Sequence, residues 1–338
     1  MSETQRPHVL LRDSQAAASA ASLRYVCAEE LEILRERKGR GFVYRGPNGR
    51  VIKNAKVLAR IRQLALPPAW KQVRISMRDD GHLQAIGIDA KGRKQYRYHP
   101  AWRQVRDLAK YDNIVRFVRA LPRLRERLSQ DLKQRALSKT KVVAAVVSLM
   151  ERTQLRVGNR RYAEQNGSYG LTTLRDEHAR ISGASLTLRF RGKSGKQFDV
   201  NLHDRRLAKI VRKCRDIPGQ TLFQYFDEDG QHHAVTSCDV NAYLQETMGH
   251  AFTAKEFRTW AASSLAALHL ASSLPFGSQT AAKRMLVAAA KMVASELGNT
   301  PAICRKCYIH PGIFDCYLRG QLHESLDALL SRARKRRP

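Results

Sequence analysis

Acidic side chains are scarce in this chain: 30 Asp and Glu face 61 Lys and Arg across 338 residues, a formal net charge of +31. There is no G-x-x-x-x-G-K-[ST] loop to cradle nucleotide phosphates and no dense Asp/Glu/His cluster to hold magnesium. A helicase and a metal-dependent nuclease are therefore disfavoured, and neither a metal nor a nucleotide cofactor is expected. No run approaches the ~20 consecutive apolar residues of a membrane-spanning helix. The first residues also lack the apolar core of a secretory signal, so a cytoplasmic address without a membrane partner is expected. Six cysteines are scattered at Cys27, Cys214, Cys238, Cys304, Cys307 and Cys316, as suits a reducing compartment. Cys304-x-x-Cys307 has metal-ligand spacing, but no second Cys/His pair stands at zinc-finger distance, and core or surface thiols are the better reading.

What the chain has in excess is positive charge on a foldable background. At 43% hydrophobic it can bury a core, which argues against a disordered basic tail protein. An excess of +31 points to a polyanionic partner, and nucleic acid is the usual one. The first 120 residues and the remainder are both strongly basic, so a detachable arm does not explain the excess. Two folded domains facing a phosphate backbone explain it better.

The texture of the sequence predicts an α+β fold. Residues 1–25 are polar and Ala/Ser-rich and are expected to be poorly ordered. Residues 26–107 form a small β-rich domain, with alternating runs such as His82–Ile88 and turns at Pro47-Asn48-Gly49 and Asp79-Asp80-Gly81. Residues 108–330 are mainly helical, with helical spacing at 101–134, 138–154, 204–215, 238–249, 254–271 and 279–297. A β-hairpin interrupts them over 184–202. Its turn, Gly192-Lys193-Ser194-Gly195-Lys196, carries two glycines suited to positive φ. Gly298 follows the last long helix as a C-cap, and residues 331–338 are a basic tail.

Phosphoryl chemistry without a metal needs guanidinium and ammonium groups to neutralise transition-state charge, and a nucleophile. Four segments supply them: LRVGNRRYAEQNGSYGLTTL at 155–174, RFRGKSGK at 189–196, KEFRTW at 255–260 and LGNTPAICRKCYI at 297–309. In order, spacing and content these segments resemble the type IB DNA topoisomerases, in the compact form shared by poxviruses and many bacteria. The resemblance implies that Arg156, in R-x-G-x-x-x-Y, is the first catalytic arginine. It makes Lys193 the hairpin lysine, Arg258 the second arginine and Tyr308 the nucleophile. The family's auxiliary residue, nine positions before the tyrosine, is usually histidine and here is Asn299. An amide can donate to a non-bridging phosphate oxygen but cannot give up a proton, which leaves proton transfer to Lys193.

The resemblance extends over about 40–320. Residues 64–75 and 81–100 look like the family's DNA-clamping β domain, with Arg93, Lys94, Gln95, Tyr96 and Tyr98 toward the duplex. Arg160, Arg161 and Tyr162 would contact the backbone near Arg156. The implied activity is relaxation of supercoiled duplex DNA by a monomer clamped around it in the nucleoid. It proceeds through a 3′-phosphotyrosyl link, strand rotation and religation, without ATP or metal.

Two other readings compete. A tyrosine recombinase shares the nucleophile and both arginines, but typically has histidine two residues before the second arginine, where this chain has Glu256, and Gly-His where it has Gly298-Asn299. A noncatalytic DNA-packaging protein explains the charge but not the spacings. Locally, Tyr317 competes with Tyr308, Lys196 offers a second cation beside Lys193, Arg258 could stack on Phe257 or Trp260, and Tyr96 and Tyr98 could be cross-strand packing.

Overall fold

The computed structural model describes residues 7–249, 252–273 and 276–325, and the chain divides into two units, Met1–Asn113 and Ile114–Pro338. The basic tail at 331–338 lies outside the described residues. The division falls inside the long helix α4 (Pro100–Asp131), a few residues past the expected 107/108 boundary.

Unit 1 begins with two short helices, α1 (Pro7–Arg12) and α2 (Ser14–Ala20), where a poorly ordered segment was expected. Alanine is the strongest helix former, and the run at 16–18 is led by the N-cap Asp13, whose carboxylate accepts from Gln15 N at 2.8 Å and Ala16 N at 3.1 Å. Ala17 and Ala18 are buried with Trp102. The β region is a five-stranded antiparallel sheet in the order β2-β1-β3-β4-β5, built from β1 (Ile33–Lys38), β2 (Gly41–Arg45), β3 (Lys71–Ile75), β4 (Leu83–Ile88) and β5 (Lys94–Tyr98). Helix α3 (Ala55–Gln63) lies between β2 and β3 in sequence and sends Ile61 into the core with Ile33, Val73, Ile75 and Ala85.

The run 82–88 alternates in sequence but not in burial, since His82 to Gly87 are all buried. A register shift between Leu83 and Ala85 turns consecutive apolar residues to two clusters, Leu83 and Ile86 joining Val26 and Leu31. Trp70 lies over Gly87, where a Cβ would come within 2.8 Å of its ring.

Unit 2 is centred on α5 (Lys139–Thr153), in which every residue from Lys141 to Met150 is buried, as befits a helix packed on all sides. Around it come α6 (Arg160–Asn166), α7 (Arg205–Arg215), α8 (Ser237–Met248), α9 (Ala254–Ala271), α10 (Gln279–Glu296), α11 (Pro301–Cys307) and α12 (Pro311–Leu318). The expected hairpin is β7 (Ser185–Arg191) and β8 (Gln197–His203), paired from Ser185↔His203 to Arg191↔Gln197. A third strand, β6 (Ala179–Ser182), pairs with β7, and a separate small hairpin joins β9 (Gln224–Phe226) to β10 (His232–Ala234). One apolar cluster runs from Phe117 of α4 through α5 to Phe257 of α9; a second is formed by α9 to α12. Helix α9 contributes to both clusters, Phe257 to the first and Ala262, Ala266 and Leu270 to the second.

Candidate active site

Each of four segments is held by ordinary helix and turn chemistry. Helix α5 ends at Gln154, which takes the left-handed conformation at φ +58°, and the chain leaves it extended through Leu155 and Arg156. That extended stretch pairs with residues 171–172: Leu171 N donates to Arg156 O at 2.9 Å and Thr172 N to Val157 O at 2.7 Å. The approach is close enough to require glycine. A Cβ on Gly170 would stand 2.7 Å from Arg156 O and from Gly158 N, and Gly158 itself sits at φ +108°. Gly158 and Gly170 thus fix the backbone from which Arg156 projects.

Arg258 lies in the second turn of α9. A capping box opens this helix: Glu256 Oε2 accepts from Thr253 N at 2.8 Å and from Thr253 Oγ1 at 2.7 Å. Glu256, at the position where recombinases place histidine, therefore has a structural job.

The segment at 297–309 explains its own spacing. Helix α10 closes in a Schellman motif, with Gly298 at φ +59°, Gly298 N on Ser295 O at 3.2 Å and Asn299 N on Ala294 O at 2.9 Å. Thr300 then caps α11 through Ile303 N at 3.3 Å, and Pro301 occupies the first turn. Tyr308 is the C-cap of α11, its N–H on Cys304 O at 3.0 Å. Glycine, asparagine, a capping threonine, proline and a seven-residue helix place the asparagine and the tyrosine at the two ends of α11. Ser263 Oγ steadies the tyrosine end, donating to Tyr308 O at 3.2 Å and accepting from His310 N at 2.9 Å.

The side chains converge. Arg156 Nη2 donates to Asn299 Oδ1 at 2.7 Å, and since arginine has no acceptor, the amide oxygen must face it and Nδ2 must face away. Arg258 is only 5% exposed. Its Nη1 donates to Gln154 O and its Nη2 to Leu297 O, both at 2.6 Å, joining the end of α5 to the end of α10. Its guanidinium carbon lies 5.5 Å from the centre of the Tyr308 ring. Burial lowers the Arg258 pKa, the nearby Arg156 charge lowers it further, and Tyr308 opposes both; a guanidinium remains cationic at neutral pH all the same. Arg258 stacks on neither Phe257 nor Trp260, whose rings meet Phe117 at 4.9 and 6.4 Å. Among the described residues, two buried donors here lack a hydrogen bond of ordinary geometry, Arg258 Nε and Asn299 Nδ2; the nearest groups to them are weak or long-range, the Cys304 sulfur, whose thiol pKa Asn299 pulls down, and the Tyr308 phenol beside the Arg258 guanidinium.

Lys193 is placed differently. It is exposed in the β7–β8 turn and has no described partner. Of the two glycines flanking it, Gly195 adopts positive φ (+77°), but Gly192 does not, at φ −97°. The second left-handed residue is Ser194 at +63°. Glycine is needed at 192 because a Cβ there would come within 2.6 Å of the Phe198 ring. The hairpin cation that touches the other segments is Lys196, whose Nζ donates to Asn299 O at 3.0 Å. Cys304 is buried and Cys307 exposed; burial raises the Cys304 thiol pKa against the pull of Arg258.

Arg160, Arg161 and Tyr162 stand exposed on α6, with Arg160 in an ion pair to Glu164 at 2.9 Å. In unit 1, strand alternation splits the expected set. Tyr96 stacks on Tyr98 at 5.9 Å, with Lys94 over Tyr96, and Tyr98 stacks in turn on Trp102 at 4.3 Å. Arg93 instead pairs with Asp89 at 2.7 Å and chiefly holds its carboxyl well below the usual range, with Gln95 adding a bond to it at 2.9 Å. Gln154, Ser263 and Leu297 went unread as site residues, and Lys196 was read only as an alternative cation to Lys193. These three act through a backbone carbonyl or a buried hydroxyl that no residue pattern marks.

Residues 99–318 match the family described as eukaryotic DNA topoisomerase I, catalytic core, and residues 41–89 that described as bacterial DNA topoisomerase IB, N-terminal domain. DNA topoisomerase 1B of Acanthamoeba polyphaga mimivirus is 33% identical over 285 residues, covering 82% of this chain and 84% of that protein. DNA topoisomerase 1B of vaccinia virus (strain Copenhagen) is 25% identical over 234 residues, 68% of this chain and 71% of that one. Among solved structures, the XerH site-specific recombinase bound to a palindromic difH substrate aligns at a TM-score of 0.35 and 15% identity, covering 55% of this chain and 47% of that one. That score is too low to bear on fold or function. The chain belongs to the type IB DNA topoisomerases, enzymes that change the topology of duplex DNA.

Proposed function

We propose that the chain relaxes supercoiled duplex DNA by transesterification at Tyr308. The Tyr308 Oη–phosphorus bond forms as the phosphorus–O5′ bond breaks, leaving a 3′-phosphotyrosyl link and a free 5′-hydroxyl. The phenol proton goes to water, and Lys193 gives its proton to the departing O5′. Arg156 and Arg258 stabilise the charge on the non-bridging oxygens, where fixed planar donors outperform mobile ones. Asn299 adds a neutral donor through Nδ2. The phosphotyrosine conserves the bond energy, so reversal reseals the strand after rotation without ATP.

One observation carries this reading: two buried donors without a hydrogen bond of ordinary geometry, Arg258 Nε and Asn299 Nδ2, in the same site as the Tyr308 ring and the Arg156 guanidinium. A buried donor without a well-aligned acceptor is costly, and a phosphate oxygen is a stronger acceptor for each than the neighbouring Cys304 sulfur or Tyr308 phenol. Both units being basic, the same reading has a monomer hold one duplex with both, in the nucleoid.

Plasmid relaxation in excess EDTA without nucleotide tests it. Relaxation at the rate seen without chelator is expected, and loss of activity in EDTA would overturn the reading. Asn299 offers a sharper check. Asn299→Ala should slow single-turnover cleavage by about 10–100-fold, the loss of one neutral hydrogen bond to a charged oxygen. The near-isosteric Asn299→Asp should slow it more, because a carboxylate still accepts from Arg156 but donates nothing and repels the phosphate. Equal or better cleavage by Asn299→Asp would show that Nδ2 does not face the scissile group.

A further inference from the structure

The β7–β8 turn and the α10–α11 turn meet at two points, and neither involves Lys193. The first is polar: Lys196 Nζ donates to the backbone carbonyl of Asn299 at 3.0 Å. The second is an aromatic seat. The Phe198 ring lies against both glycines, so that a Cβ added at Gly192 or at Gly298 would come within 2.6 Å of it. Lys196 completes the contact, its Cδ 3.6 Å from the same position on Gly298. The turn is closed on itself by Gly192 N to Lys196 O at 2.7 Å, so fastening Lys196 fastens the segment from Gly192 onward. The general acid assigned above is therefore an exposed side chain on a short turn, and that turn is tied by Lys196 to the backbone of Asn299.

We propose that Lys196 is a positioning residue that sets where Lys193 stands at the scissile phosphate by fastening the hairpin turn to the Asn299 carbonyl. The inference rests on the reading of Lys193 as the general acid. Proton transfer to O5′ requires Lys193 Nζ within hydrogen-bond reach of that oxygen, and a displacement of about 1 Å costs on the order of 100-fold. With Lys196 truncated, Phe198 still seats between the glycines and the hairpin still pairs along its length. The fold is kept while the turn loses its polar tether. Lys196 thus acts on one step, protonation of the leaving group.

The test exploits that step. A thiolate leaves without a proton far more readily than an alkoxide, since thiol pKa values lie near 8.5. A duplex whose cleavage site has first been mapped with wild-type protein is made with oxygen or sulfur as the bridging 5′ atom, and single-turnover cleavage of both is measured. Lys193→Ala should be slowed by about 100-fold or more on oxygen and recover with sulfur. Lys196→Met should follow the same pattern in milder form, about 10–100-fold slower on oxygen and within about 3-fold of wild type on sulfur. Lys196→Arg, which can still donate to the carbonyl, should stay near wild type on both. Wild-type cleavage of the oxygen duplex by Lys196→Met overturns the inference. So does an equal loss on both duplexes, which would make Lys196 a phosphate ligand or a purely structural residue. If Lys193→Ala recovers with sulfur and Lys196→Met does not, this inference alone fails. If Lys193→Ala stays slow with sulfur, the general-acid reading fails and takes the inference with it.

Discussion

A Tyr308→Phe variant is expected to bind duplex DNA as tightly as the wild type and to relax none of it, a loss of more than about four orders of magnitude in rate. The ring stays where it is. The backbone of residue 308 is held by N–H to Cys304 O and carbonyl to Ser263 Oγ, neither of which needs the hydroxyl, and the phenol adds only its contact with the Arg258 guanidinium. Its packing against the α9–α12 cluster and beside Arg258 is equally available to phenylalanine. Melting temperature should therefore move by no more than about 2 °C. Gel relaxation, a DNA-binding titration and a thermal melt on one preparation separate these outcomes. Residual relaxation above about one part in ten thousand would mean another nucleophile, with Tyr317 the sequence alternative. Tyr317 is an unpromising one, being 1% exposed and packed in the cluster with Phe276.

The second large effect is at Arg258, where catalysis and stability fall together. Arg258→Ala removes a phosphate donor, worth about 100–1000-fold in rate. It also leaves the Gln154 and Leu297 carbonyls without their guanidinium at the junction of α5, α9 and α10. An unpaired buried acceptor costs about 1–3 kcal/mol, so a fall of at least about 5 °C in melting temperature is expected. Arg156→Ala should lose comparable activity and stay within about 2 °C of wild type. Arg156 is only half-buried, and its one described side-chain bond, to Asn299 Oδ1, is to a side chain that can find another donor. Thermal melts beside single-turnover cleavage test the asymmetry. Equal destabilisation by the two variants would contradict the bridging role of Arg258.

Much of this was legible before any coordinates, for reasons that differ by element. Helices α5 and α7 to α10 announce themselves by apolar spacing and caps, and their ends fall within a residue or two of expectation. The distance from Asn299 to Tyr308 was readable as a family spacing; its physical content is a Schellman glycine, a threonine cap, a first-turn proline and a short helix. Strand β6, only four residues long and half exposed, carries too little pattern to be seen. The Ala-rich start was misjudged because small residues without apolar bulk look like loop, although alanine favours helix. Gly192 was assigned the right residue type for the wrong reason: it makes room for Phe198, a contact across the hairpin that local turn rules cannot anticipate. The roles of Lys196 and of the Gln154 and Leu297 carbonyls depend on segments far apart in sequence. Arg258 lies 104 residues from Gln154, and Lys196 lies 103 from Asn299. Single-sequence patterns do not encode such pairings.

The claim at the centre of the account is that Tyr308 forms the covalent bond to DNA. Wild-type protein is mixed in EDTA with a duplex nicked just beyond the cleavage site, so that the released 5′-hydroxyl fragment dissociates and the adduct accumulates. The adduct is then digested and the DNA-bearing peptide sequenced by mass spectrometry. The account predicts a single modified residue, Tyr308, esterified to a 3′-phosphate, and no adduct from Tyr308→Phe. An adduct on another residue, a link to a 5′-phosphate, or cleavage with no adduct at all would contradict it.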